Sequence, residues 1–142
     1  MTTYEQLLAD CIRWAKEAGR IQLELFRSDR LDIEAKFNDS DVVTNADKAS
    51  EKAIISEIRR AYPEHSVLSE EAGCDKRMND WLWVIDPLDG TTNYSSGLPN
   101  FCVSIGVQHK GQTVVGVVYA PYLGEIFTAV RGKGAFLNNR PI

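Results

Sequence analysis

The chain has 142 residues, of which 44% are hydrophobic and 25% charged, and a formal net charge of −4. That is enough for one domain that buries roughly two-thirds of its unfolded surface, and the composition gives no sign of intrinsic disorder. The acidic balance argues against a nucleic-acid partner, which would need clustered Lys and Arg, and a bound anion would need local help.

In chain order, Thr2 with Glu5 reads as a capping box that opens a first helix near residues 3–27. Leu8, Ile12, Ala15, Ala18, Ile21, Leu25 and Phe26 follow at helical spacing. Leu31 to Lys36 alternates as a half-buried strand would, and Asn38, Asp39 and Ser40 supply a turn. Thr44 with Asp47 starts a second helix whose core face is read as Ala49, Ala53, Ile54, Ile58 and Ala61, closed by Pro63. Short β runs then follow at Ser66–Ser69, Trp81–Ile85, Val103–Val107, Val114–Tyr119 and Glu125–Val130, with Lys110-Gly111-Gln112 as a hairpin turn. Helices followed by strands predict an α+β layered sandwich, with two N-terminal helices packed on a largely antiparallel sheet. With no repeat or linker, residues 1–142 read as one unit, and the segment Gly134 to Ile142 stops in mid-structure.

The most informative stretch is Trp83-Val84-Ile85-Asp86-Pro87-Leu88-Asp89-Gly90-Thr91-Thr92-Asn93. An apolar strand ends in two carboxylates that bracket a proline, and strand ends are where sites are built. Pro87 fixes its φ, so a turn can hold Asp86 and Asp89 on one side, with the Leu88 carbonyl as a third oxygen. Gly90 permits a positive φ, and Thr91 and Thr92 could cap a short helix whose N–H groups suit a phosphate.

A second acidic pair, Glu70-Glu71, ends the run Val67-Leu68-Ser69. If that strand lies beside Trp81–Ile85, the acidic ends converge. Carboxylates about 5 Å apart at an effective dielectric near 20 repel by roughly 3 kcal/mol per pair, so such a group needs protons or cations. Oxygen ligands without His or Cys select Mg²⁺, Mn²⁺ or Ca²⁺, and Mg²⁺ is the usual partner of phosphate. Alone, Asp-Pro, Asp-Gly or Glu-Glu is an ordinary turn or solvated pair; the combination carries the signal.

His65 and His109 are both read as surface residues, and no Ser–His or Cys–His spacing supports a nucleophile. Cys102 reads as a core thiol, Trp81 and Trp83 as packing residues, and Gly132-Lys133-Gly134 as a loop between strands. Three cysteines without a Cys-x-x-Cys spacing fit reduced thiols in a cytoplasmic protein. Met1 to Ala9 has no signal-peptide pattern, and no apolar run approaches the roughly 20 residues of a membrane span.

The run from Trp83 to Tyr94 resembles the signature of the inositol monophosphatase family. Lys36, Asp41-Val42-Val43-Thr44-Asn45-Ala46-Asp47, Ser69-Glu70-Glu71, Val103-Ser104-Ile105-Gly106 and Arg131 to Phe136 extend the resemblance over nearly the whole chain. It implies a layered sandwich and hydrolysis of a phosphate monoester, inositol monophosphate first, with two or three Mg²⁺ ions, Mn²⁺ as a substitute and Li⁺ as inhibitor. By the same resemblance Glu70, Asp86, the Leu88 carbonyl and Asp89 are metal ligands. Asp47 and Thr91 orient and deprotonate the attacking water, with Glu70 also catalytic, and Gly90, Thr91 and Thr92 hold the phosphate. Glu71 and Lys36 support them.

Family members continue further and supply a Trp-Asp motif that has no counterpart here. Residues 1–142 are therefore expected to be the N-terminal metal- and phosphate-binding domain without its C-terminal domain. Alone the chain should bind metal weakly, turn over little and associate through its sheet, as a homodimer or with the missing half. A non-catalytic interaction module is the competing reading, and fructose-1,6-bisphosphate, phosphoadenosine phosphate or histidinol phosphate are alternative substrates.

Overall fold

A computed structural model of the chain describes residues 2–35 and 42–142. Helix α1 (Tyr4–Leu25) opens on a capping box, but its members are Thr3 and Gln6. The Thr3 hydroxyl accepts from the Gln6 N–H at 3.1 Å, and the Gln6 side chain accepts from the Thr3 N–H at 3.0 Å. Two adjacent threonines allow either frame, and glutamine serves as well as glutamate at the third position. The later frame goes with a buried stripe of Leu7, Cys11, Trp14, Ala15, Ala18 and Gln22, one residue round the helix from the apolar set read in the sequence; Leu8 and Ile12 are only partly buried.

Strands β1 (Ile33–Ala35) and β2 (Val42–Thr44) form an antiparallel pair. All three residues of β1 are exposed, so its alternation does not mark a half-buried strand. Lys36, Asp41 and the turn at 38–40 lie outside the described residues. Helix α2 (Asn45–Ala61) starts where expected, with Thr44 and Asp47 bonding each other's backbone N–H. Its buried residues are Ala46, Asp47, Ser50, Ile54 and Ile58. The face is therefore more polar than the alanine-based reading, and Ala61 is exposed.

The main sheet comprises β3 (Ser66–Ser69), β4 (Gly73–Asp75), β5 (Trp81–Asp89), β6 (Cys102–His109), β7 (Gln112–Ala120), β8 (Glu125–Val130), β9 (Ala135–Leu137) and β10 (Arg140–Pro141). Its order is β10-β9-β8-β7-β6-β5-β3-β4, and every described ladder is antiparallel except β3–β5. It is thus a mixed sheet, with the single parallel contact at the acidic ends. The β6–β7 turn uses Lys110 and Gly111, both at positive φ (52° and 79°), as the hairpin signal requires. The short strands β4, β9 and β10 were too brief to read as strands in the sequence.

Both helices cover one face of the sheet. Trp83, Ile85, Val103, Ile105, Val107, Val115 and Val117 meet Leu7, Cys11, Trp14, Ala18, Ile54 and Ile58 there. Pleating sends Leu82, Val84 and Asp86 to the other face, where exposed Leu68, Val118 and Phe127 also lie.

His65 is not a surface residue. It is 8% exposed, and its Nδ1 accepts from the Trp83 indole N–H at 2.9 Å. Its ring stacks between Tyr62 at 4.9 Å and Trp81 at 5.5 Å, and Trp81 stacks in turn on His109 at 3.9 Å. Proximity to Pro63 suggested a loop, but strand pairing draws the ring in over Trp83. Burial lowers the His65 pKa below its ordinary 6.5, and protonation would also take Nδ1 from the indole N–H. This contribution to stability is therefore present above about pH 6.5 and lost as pH falls through the depressed folded value. Thermal unfolding from pH 7.5 to 5 should show the stability margin of wild type over His65→Gln shrinking with acidification; a margin independent of pH would contradict the assignment.

Candidate active site

The register of β5 brings its carboxylates together. Residues three apart on a regular strand point to opposite faces, yet Asp86 pairs with Ser104 and Asp89 with Cys102, partners only two apart. A β-bulge absorbs the extra residue and returns both acids to one face. Pro87, which has no N–H to offer the ladder, sits in the bulge. The sequence suggested a turn after a strand ending at Ile85; the strand instead runs through to Asp89. In the parallel ladder Ser69 lies opposite Ile85, so Glu70 follows β3 just where Asp86 continues β5.

The electrostatics report the same convergence. Burial, then the negative charges of Glu70 and Asp89, a hydrogen bond with Asp89 and the charge of Asp47 push the Asp86 carboxyl up to about 7. Its Oδ1 is buried without a hydrogen-bond partner among the described residues. Among the described residues no three Asp, Glu, His or Cys side chains close on one point.

Gly90 has φ 87°, and a Cβ there would lie 2.7 Å from the Asn100 carbonyl oxygen, so glycine is required on both counts. It also precedes helix α3 (Thr91–Ser95), which has no side-chain cap; Thr91 does not cap it as expected. The Thr91 hydroxyl instead lies 2.8 Å from Asp47 Oδ1 and 3.1 Å from the Leu88 carbonyl. It has one hydrogen, and the carboxylate is the stronger acceptor, which leaves the Leu88 oxygen without it. Asp47 Oδ2 accepts from the Thr44 N–H and hydroxyl at 2.9 and 2.6 Å. Thr92 is exposed on α3, and Glu70 and Glu71 are exposed at the end of β3.

Gln22, Ser50 and Glu51 went unread in the sequence, and Cys102 was misplaced. Gln22, fully buried on α1, donates through Nε2 to the Pro87 carbonyl at 2.7 Å and to Ser50 Oγ at 3.1 Å. Glu51 on α2 reaches the Glu70-Glu71 turn. Cys102 is half-buried beside Asp89, with Sγ 3.8 Å from Oδ2, rather than in the core. Burial and the Asp89 charge raise its thiol to about 11. A shallow cleft of about 300 Å³ opens beside these groups, between Asp89, Gly90, Asn93, Asn100, Phe101 and Leu123. The available signal for Gln22 and Ser50 was a polar residue recurring at i+4 or i+3 on the core face of a helix.

Folded on this pattern, the chain belongs to the inositol monophosphatase family, whose model matches residues 3–142. It is 50% identical over 135 residues to the Nus factor SuhB of Pasteurella multocida, covering 94% of this chain and 50% of that protein. A Staphylococcal inositol monophosphatase-1 structure, a LiCl-soaked inhibitory complex, superimposes with a TM-score of 0.90 at 27% identity, covering 100% of this chain and 54% of that one. An IMPase/NADP phosphatase complexed with Mg²⁺ and phosphate gives 0.86 at 26% identity, covering 99% and 53%. The chain spans about half the length of the curated relatives it matches.

Two expectations follow from the geometry. Because the Asp86 pKa is raised on folding, the stability lost to its ionisation grows as pH rises from about 4 through about 7. Without divalent cations, Asp86→Asn should therefore melt higher than wild type at pH 8, on the order of a few degrees, and the gain should vanish toward pH 4. Gln22→Ala strands the Pro87 carbonyl and opens a cavity, and should cost about 1–3 kcal/mol in urea unfolding.

Proposed function

We propose that this chain carries the metal- and phosphate-binding part of a Mg²⁺-dependent phosphomonoesterase, with an inositol monophosphate as the first candidate substrate. The observation that carries the reading is the buried Oδ1 of Asp86, without a partner among the described residues and surrounded by the charges of Glu70, Asp89 and Asp47. Hard, anionic oxygen donors on strand ends suit Mg²⁺ or Mn²⁺, and Glu70, Asp86, Asp89 and the Leu88 carbonyl would hold them, two or three ions in all. Bound there, the cations would neutralise the phosphate, polarise it and lower the pKa of water.

The remaining work falls to the chain. Asp47 holds the Thr91 hydroxyl by its hydrogen, so the Thr91 oxygen keeps a lone pair for the attacking water, whose proton can pass through Thr91 to Asp47. The Thr44 bonds fix the Asp47 carboxylate for that role. Gly90, Thr91 and Thr92 offer close backbone approach and hydroxyls to the phosphate. Li⁺ inhibition and Mn²⁺ substitution belong to the same reading, supported by the family and by the related LiCl complex. Turnover would need groups from beyond this half, and the exposed sheet face is where the remaining half or a second copy would associate, in the cytoplasm.

A second reading, a non-catalytic role in an assembly, draws on the relatives named Nus factor SuhB. Titration calorimetry with Mg²⁺ and Mn²⁺ separates the two: the first requires binding heat that Asp89→Asn reduces at least tenfold in affinity, the second requires none. Unchanged heat in Asp89→Asn would remove the ligand assignment.

A further inference from the structure

We propose that Glu51 is a positioning residue that aims Glu70 at Asp86, an inference that rests on the reading of Glu70 as a cation ligand. One oxygen of Glu51, Oε2, accepts from Ser69 Oγ at 2.6 Å and from the backbone N–H groups of Glu71 and Ala72, each at 3.1 Å. The three donors bracket Glu70: one belongs to the residue before it and two to the residues after it. Ser69 is 2% exposed and turns its hydroxyl toward α2, and Glu70 follows it at the edge where β5 continues into Asp86, close enough for its charge to act on that carboxyl.

Charge explains why a carboxylate stands here. Three donors on one oxygen are best satisfied by an anion, whose hydrogen bonds are roughly twice as strong as those of a neutral acceptor. A further negative charge near an acidic cluster is costly, and simple loop closure would be served by a neutral side chain. The charges that raise Asp86 are those of Glu70, Asp89 and Asp47; Glu51 acts through the loop backbone it grips. It sits one helical turn beyond Asp47, so α2 presents the Thr91 partner and the Glu70 clamp from one face. Groups that orient a cation's ligands in this way are typically worth 10–100-fold in metal affinity.

Mn²⁺ calorimetry on wild type, Glu51→Gln, Glu51→Asp and Glu70→Gln, paired with amide hydrogen exchange at Glu71 and Ala72, tests the proposal. Glu51→Gln should weaken Mn²⁺ binding about 10–100-fold and speed exchange at both amides, with Glu51→Asp recovering part of each. Should Glu51→Gln fail to fold, Glu51→Asp alone must show the same paired loss at reduced size. Mn²⁺ affinity within twofold of wild type despite faster exchange would reduce Glu51 to a structural staple and overturn the proposal. Unchanged exchange would overturn it whether or not the cation binds. Absence of Mn²⁺ binding by wild type would overturn the ligand reading of Glu70 and this proposal with it, whereas loss in Glu70→Gln without loss in Glu51→Gln would overturn the proposal alone.

Discussion

Negative charge gathered at the ends of two neighbouring strands is the constraint around which this fold is arranged. Carboxylates repel one another, and each lost contact with water raises the cost. The chain nevertheless holds Asp86 in a half-buried position with Glu70, Asp89 and Asp47 as neighbours. The surroundings supply the compensation: Thr44 bonds one Asp47 oxygen and Thr91 the other, while neutral Gln22 pins the bulge from below. What remains unbalanced is concentrated on Asp86, the carboxyl that a hard cation would relieve most.

The fold earns this arrangement through one parallel contact in an otherwise antiparallel sheet. A parallel neighbour ends at the same edge as its partner, so β3 and β5 deliver their acidic termini together, whereas an antiparallel pairing would have sent Glu70 to the far end. The helix preceding β3 is α2, and it delivers Asp47 at its start and Glu51 a turn later. Placing Asp47, Glu51 and the strand-end acids on a helix and strand ends, with the helix face locked into the core by Ile54 and Ile58, gives them a rigid base.

Belonging to the inositol monophosphatase family sets the chemistry expected of this edge, while relatives carrying the name SuhB show that close sequence likeness extends to proteins known by another role. The apolar residues on the uncovered sheet face, Leu68, Val118 and Phe127, suit association as well as enzyme completion. Both roles draw on the sheet face that carries Asp86, where Asp86, Ser104, Val118 and Phe127 form one row across the strands.

The sequence by itself determined the candidate acids, the two helices, the longer strands and the β6–β7 hairpin, because these depend on local periodicity, caps and turn residues. It left open how Asp86 and Asp89 share a face, since a one-residue bulge is a property of pairing with β6 and has no signature beyond Pro87. It missed Gln22 and Glu51 because a polar residue on a helix reads as solvated until the partner strand is in place. It misread His65 for the same reason: only packing of Tyr62, at the end of α2, with Trp81 and Trp83 of β5 encloses that ring. Local chemistry is written in neighbouring residues, whereas burial and register arise between segments 18 to 65 residues apart, and those the tertiary structure decided.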